Sequence, residues 1–260
     1  MLFSRKQLDW LRQLLTFIAV VSAFVANVLA NVTPLRGMTI GEISNTSFQG
    51  VLITPANYAF AIWGIIYLGL ISLAVYQVLP HNRSDEYVSR MGYSLVIASV
   101  AQIVWVYVFL MRFFEASFFV MLVILIALIW GYLNLNINRK SLTRSRRWFV
   151  QMPWSIYLAW ISVATIVNGA TALYAWGWSG GELGSEFWTI AMLVVGAIVA
   201  VAVTLTRRDS TFSWVVVWAF VAIAVRHLDT ETIASVAGGL AVLIGAIALL
   251  QSLQYSKLKW

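Results

Sequence analysis

Leu158-Ala-Trp-Ile-Ser-Val-Ala-Thr-Ile-Val-Asn168 places a tryptophan and an amide inside an apolar stretch. The apolar run around it, residues 149–176, exceeds the roughly 20 residues that cross a bilayer as a helix. Lipid offers an asparagine side chain no hydrogen bond, so Asn168 must find a partner inside a helix bundle or line a cavity. Spacing alone leaves two readings open. One is a helix–helix hydrogen bond worth about 1 kcal/mol or less, and the other is a pocket wall.

The rest of the chain supports a membrane setting. Hydrophobic residues make up 61% of it and charged residues 10%, with a mean hydropathy of +0.85. A soluble domain carries about a quarter of its residues as charges. Comparable apolar runs fall at 14–32, 55–79, 92–111, 117–135, 187–205, 212–225 and 232–250, so the expected fold is all-α: a polytopic membrane bundle of eight helices. The run at 212–225 is the shortest. Arginine and lysine test the count, because they collect in cytoplasmic loops. With the N-terminus inside, all but Arg36, Arg112 and Arg226 of the 17 basic residues fall on one side, including Arg139, Lys140, Arg144, Arg146 and Arg147 in one loop. Both termini are therefore expected to be cytoplasmic.

This distribution explains the net charge of +7 as a topology signal with attraction to lipid headgroups. Nucleic acid is not an expected partner. The absence of cysteine excludes disulfides and thiolate metal sites. His81 and His227 lie beside charged loop residues, where a haem held by paired intramembrane histidines has no place. The first run ends near Ala26-Asn-Val-Leu-Ala30, in the manner of a signal peptide with a small-residue cleavage site; it is expected to be retained as a helix.

The longest outer loop, residues 33–54, contains Arg36, Gly37, Gly41, Glu42, Asn45 and Gly50 before the helix-opening Pro55. A mobile lid and a plain disordered connector fit this composition equally. Asn45-Thr46-Ser47 fits the glycosylation acceptor pattern, a common tripeptide. After Trp178, the run Ser179-Gly-Gly-Glu-Leu-Gly-Ser-Glu186 reads as a linker and divides the chain into 1–178 and 179–260. Beyond it, Ala234, Gly238, Ala241 and Gly245 have the spacing of close helix packing.

The 13 tryptophans fall into two groups. Trp10, Trp148, Trp154, Trp176, Trp178, Trp188 and Trp260 lie near helix ends and fit an interfacial belt. Trp63, Trp105, Trp130, Trp160 and Trp218 lie deeper. At 1.5 Å of rise per residue, Trp63 and Asn168 sit about 12 Å below the outer surface, Trp105 about 9 Å and Gln102 about 14 Å, with Trp160 nearer the midplane. Aromatic faces and amides thus fall in one layer, suited either to packing or to a flat apolar ligand. Buried Asp, Glu, Lys or His, a phosphate-binding loop and metal-ligand spacing are all missing from the runs, so no catalytic residue and no metal site is expected.

The Leu158–Asn168 stretch resembles the fifth-helix signature of the tryptophan-rich sensory protein/translocator protein family, also called the peripheral benzodiazepine receptor family. Tyr157 matches its preceding tyrosine. Ile62-Trp63-Gly-Ile-Ile-Tyr67 resembles the second-helix Val-Trp-x-x-x-Tyr element, and Gln102-Ile-Val-Trp105 the third-helix Asn-x-x-Trp element, with Gln for Asn. The resemblance covers residues 14–178. It implies a five-helix core binding porphyrins or other flat hydrophobic ligands, lined by Trp63, Trp105, Trp160, Ala164, Val167 and Asn168 and supported by Tyr67, Gln102 and Tyr157. Light-dependent porphyrin breakdown in some members is the one enzymatic alternative.

The sequence departs from the family pattern in several places. Ala61 replaces a proline, a second proline appears at Pro153 rather than at Ile156, and Tyr174 lacks the following Lys or Arg of the sterol-type pattern. The last three helices are an extension beyond the minimal family fold. The expected function is tetrapyrrole or other lipophile binding in sensing, regulation or carriage, with membrane lipids as neighbours and a homodimer or larger complex as partner. The alternatives are an accessory subunit of a pigment-bearing complex and a small-solute transporter. The expected site of action is a bacterial inner membrane, or a thylakoid in a photosynthetic source.

Overall fold

A computed structural model describes residues 5–139 and 143–257. Lys140, Lys259 and Trp260, used above for topology and the aromatic belt, lie outside the described residues. Every regular element among the described residues is helical. The long helices are α1 (Arg5–Val32), α2 (Ile62–Val78), α3 (Ser94–Leu110), α4 (Phe114–Asn134), α5 (Met152–Ala175), α6 (Gly184–Arg207), α7 (Ser210–Arg226) and α8 (Glu231–Lys257). They coincide with the apolar runs. Among the described residues, six spans are long and apolar enough to cross a membrane, whereas α3 and α7 are apolar helices of 17 residues each. The chain is a polytopic integral membrane protein.

Local chemistry sets the helix ends. After α3 the Phe113 N–H bonds the Val108 carbonyl and the Arg112 N–H bonds that of Phe109, with Arg112 at φ 69°. After α5 the same pattern joins Trp178 to Leu173 and Gly177 to Tyr174, with Gly177 at φ 87°. Both are Schellman closures, which need a residue in the left-handed region. Glycine takes that conformation without the penalty Arg112 carries. Asp209 caps α7, its Oδ1 accepting from the Phe212 N–H at 3.3 Å.

Contacts divide the chain into two compact units, Met1–Ile40 with Trp63–Leu158, and Gly41–Ile62 with Ala159–Trp260. In the first, α1 packs on α3 and α3 on α4. The first turns of α5 bring Pro153 against Gly69, and Trp154 against Gly131. Trp154 is fully buried and its Nε1 donates to the Leu128 carbonyl at 3.0 Å. This corrects its assignment to the interfacial belt: nearness to a helix end does not give depth when a neighbouring glycine admits the ring. Trp130, grouped above with the deeper tryptophans, lies four residues from the end of α4 and is 52% exposed, so neither packing nor an enclosed pocket holds it in this chain.

Arg12, read from sequence as a topology charge, is only 4% exposed. Its guanidinium donates to Gln77 Oε1 at 3.3 Å and Ser89 Oγ at 3.4 Å, with the Asp9 carboxylate 3.7 Å from Nε. Gln13 Nε2 donates to the Arg83 carbonyl at 2.8 Å. These bonds tie α1 to α2 and to the 83–89 segment.

In the second unit α7 packs on α8, and α6 on both. The buried stripe of α8 is Ile233, Ala237, Ala241, Ile244 and Ala248. Ala241 belongs to it as expected, but a Cβ built on Gly238 would meet nothing within 4 Å, so the small-residue register is corrected by about one residue at that end. The outer loop is not a structureless connector. It holds a 3-10 turn, Leu35–Gly37, and a short helix, Ile40–Thr46, and a second 3-10 turn, Asn57–Ala61, follows it and leads into α2.

Candidate ligand-binding site

Four of the residues singled out above come together in the first unit. Trp63 stacks on Tyr67, one helical turn away on α2, with ring centroids 5.5 Å apart and planes 27° apart. Tyr157 meets Trp63 edge-on at 6.2 Å. The Tyr157 hydroxyl donates to Gln102 Oε1 at 3.5 Å, joining α5 to α3. Tyr67 is held on its far side, its hydroxyl donating to the Ala23 carbonyl at 3.1 Å and its ring meeting Phe24 edge-on. The backbone carbonyl of α1 thus fixes the ring that supports Trp63. Trp105 is buried and packs on Phe109 at 5.4 Å. It shares a face of α3 with Gln102, three residues before it.

Gln102 is 1% exposed, and its amide nitrogen has no hydrogen-bond partner. Leaving a buried donor unmade costs about 1–3 kcal/mol. A native chain tolerates such a cost where the group has a use. Among apolar and aromatic neighbours, a fixed N–H donor is what orients a flat ligand carrying an acceptor atom.

Trp160, Ala164, Val167 and Asn168 belong to the second unit. Trp160, Ala164 and Asn168 recur every four residues on α5, so they share one face, with Val167 at its margin. Trp160 is buried and meets Phe60 edge-on at 6.1 Å. Asn168 is 3% exposed, whereas Ala164 and Val167 are half-buried.

Two clusters were missed by the sequence reading. In the second unit Arg226 Nη1 donates to Asn45 Oδ1 at 2.6 Å and to the Pro55 carbonyl at 3.3 Å, while His227 Nε2 lies 2.6 Å from the Leu52 carbonyl. The signal for it was Arg226 itself, a cation on the side the charge bias leaves poor in cations. In the first unit an open cleft of about 500 Å³ is lined by residues including Asp85, Tyr87, Arg90 and Arg146. Arg146 holds Asp85 through two 2.9 Å bonds and lies 5.7 Å from the centre of the Tyr87 ring. Gln151 Nε2 donates to the Tyr87 hydroxyl at 2.9 Å. Burial pushes the Tyr87 phenol up to about 12. No group of three His, Cys, Asp or Glu that would hold a metal occurs among the described residues.

The family model for TSPO-like proteins matches residues 13–250. The chain belongs to the TSPO-like protein family. The match runs through α6, α7 and nearly all of α8, so the TSPO-like assignment covers the three C-terminal helices as well as the motifs of α2, α3 and α5. No curated protein and no solved structure matches the chain.

Proposed function

We propose that this TSPO-like protein binds a flat, largely apolar ligand bearing a hydrogen-bond acceptor, of the tetrapyrrole class, in sensing, regulation or carriage. The observation that carries the reading is the unpartnered Gln102 amide nitrogen, buried beside Tyr157, which itself edges onto the stacked Trp63–Tyr67 pair. Aromatic faces supply area, and the amide supplies orientation. Trp105, Trp160, Ala164, Val167 and Asn168 are assigned to ligand contact by the motifs they occupy. Saturable quenching of tryptophan fluorescence by protoporphyrin in detergent micelles tests this function; quenching that rises linearly without saturation removes it.

The same proposal places eight helices across the bilayer with both ends cytoplasmic, and divides the chain into a five-helix part, 1–178, and a three-helix part, 179–260. The distribution of arginine and lysine supports it. A bacterial inner membrane and association with a second copy complete the proposal.

A further inference from the structure

The outer segment before α2 is fastened to α7 at both its ends. Near its start, Arg226 reaches the Asn45 side chain, and the same Nη1 also reaches the carbonyl of Pro55, ten residues on. Between these, His227 takes the Leu52 carbonyl. At the far end the Ala56 N–H donates to the Ala222 carbonyl at 3.0 Å, Trp218 Nε1 donates to the Ala59 carbonyl at 3.1 Å, and Tyr58 meets Trp218 edge-on at 5.3 Å. Most of these bonds go to carbonyls of the segment. These, with the Ala56 N–H bond, fix the backbone path, and the Arg226–Asn45 bond adds a side-chain tie near its start.

On its other side the segment packs against α5. Phe48 meets Tyr174 edge-on at 6.0 Å, and Gly50 lies so close that a Cβ there would sit 2.6 Å from the Tyr174 ring. Phe60 covers an edge of Trp160. The strap buries Phe48, Val51, Ile53, Pro55 and Ala59 but has no regular structure between Thr46 and Asn57, so its release costs those contacts and the polar bonds while leaving the helices it joins intact. A charge-assisted guanidinium bridge is the strongest bond of this kind in the set.

We propose that α7 is a latch: Arg226, His227 and Trp218 hold the 45–59 strap against α5, and release of the strap uncovers the outer end of α5 beside Trp160 to ligand. This assigns the C-terminal helices control over ligand access. The access part rests on the lipophile-binding function proposed above, whereas the fastening stands on the bonds alone.

Two measurements on the full-length protein in nanodiscs test the latch. The first is amide hydrogen exchange of residues 45–59. Arg226→Ala and Asn45→Ala are each expected to speed exchange about tenfold or more, the double variant by less than the product of the two because Asn45 also bonds the Gly41 carbonyl and the Asn57 side chain, and Arg90→Ala not at all. Asn45→Ala alters only the strap and keeps the test valid if loss of Arg226 impairs folding. Unchanged protection in Asn45→Ala and Arg226→Ala, or fully additive effects, overturns the latch.

The second uses the cysteine-free background. The Ala56 N–H lies 3.0 Å from the Ala222 carbonyl, which makes this pair the choice for a cross-link between the strap and α7. In Ala56→Cys/Ala222→Cys, oxidation is expected to slow protoporphyrin association at least tenfold and reductant to restore it; equal rates in both states overturn gating by the strap. Faster exchange in the Arg226 and Asn45 variants, in a protein that never binds protoporphyrin, upholds the latch and removes the ligand reading instead.

Discussion

Tyr157 and Gln102 are joined by one long hydrogen bond, 3.5 Å from the phenol to Oε1, and that bond turns the Gln102 amide nitrogen toward a position where nothing accepts from it. The pair is buried on both sides, so its two polar groups depend on each other. Gln102→Leu leaves the Tyr157 hydroxyl without an acceptor, and Tyr157→Phe leaves Gln102 Oε1 without a donor. Each single change is expected to destabilise the ligand-free protein by about 1–3 kcal/mol. The double change removes donor and acceptor together and is expected to restore stability to the wild-type level or above it. Thermal midpoints in one detergent would check this; additive losses in the double variant would refute it.

Gly131 is predicted to tolerate no side chain. Alanine usually stabilises a helix interior by about 1 kcal/mol relative to glycine, but here a Cβ would collide with the Trp154 ring and lie 2.6 Å from Ser94 Oγ. Gly131→Ala is therefore expected to cost about 1–3 kcal/mol through overpacking. Gly64, where an added Cβ meets nothing within 4 Å, is the control and is expected to gain stability on the same substitution.

Acid is predicted to loosen the outer strap. Burial, reinforced by the neighbouring Arg226 charge, holds the His227 pKa below its usual value, against a smaller upward pull from the Leu52 carbonyl. The neutral ring is the form the folded strap prefers. Stability from this residue is present above the ordinary histidine pKa of about 6.5, and it declines as pH falls below that value, because the released ring takes up a proton more readily than the held one. Exchange protection of residues 45–59, corrected for intrinsic rates, should fall between about pH 7 and pH 5.5, and His227→Gln should flatten the dependence.

Topology is open to a direct check because the chain has no cysteine. Ser145→Cys, in the exposed basic turn before α5, should react with an impermeant thiol reagent only from the cytoplasmic side, and Glu182→Cys, exposed before α6, only from the other. Labelling of both from one side would refute the arrangement.

The long helices were legible in the sequence because apolar runs of bilayer length admit little else, and each run coincides with a helix. The Trp63, Tyr67, Gln102 and Tyr157 cluster was legible through its family motifs, since those residues are set at fixed turns on α2, α3 and α5. What escaped were partnerships across long separations. Arg226 bonds Asn45, Arg36 donates to the Met111 carbonyl at 3.4 Å, and Arg112 lies 3.3 Å from Met38 Sδ. These three arginines are the exceptions to the charge bias, and each is engaged in holding an outer turn. A topology rule marks them as exceptions, but their partners, each more than 70 residues away, have no local signature. Trp154 was misplaced for a related reason: its depth depends on Gly131, a residue on another helix.

The most direct test of the ligand site is an equilibrium titration of protoporphyrin into wild-type protein and into Gln102→Leu/Tyr157→Phe, which should remain folded and as stable as wild type. Wild type is expected to bind saturably, and the double variant at least about tenfold more weakly, the equivalent of roughly 1.4 kcal/mol. Equal affinity in the two proteins, or no saturable binding in wild type, would contradict the site.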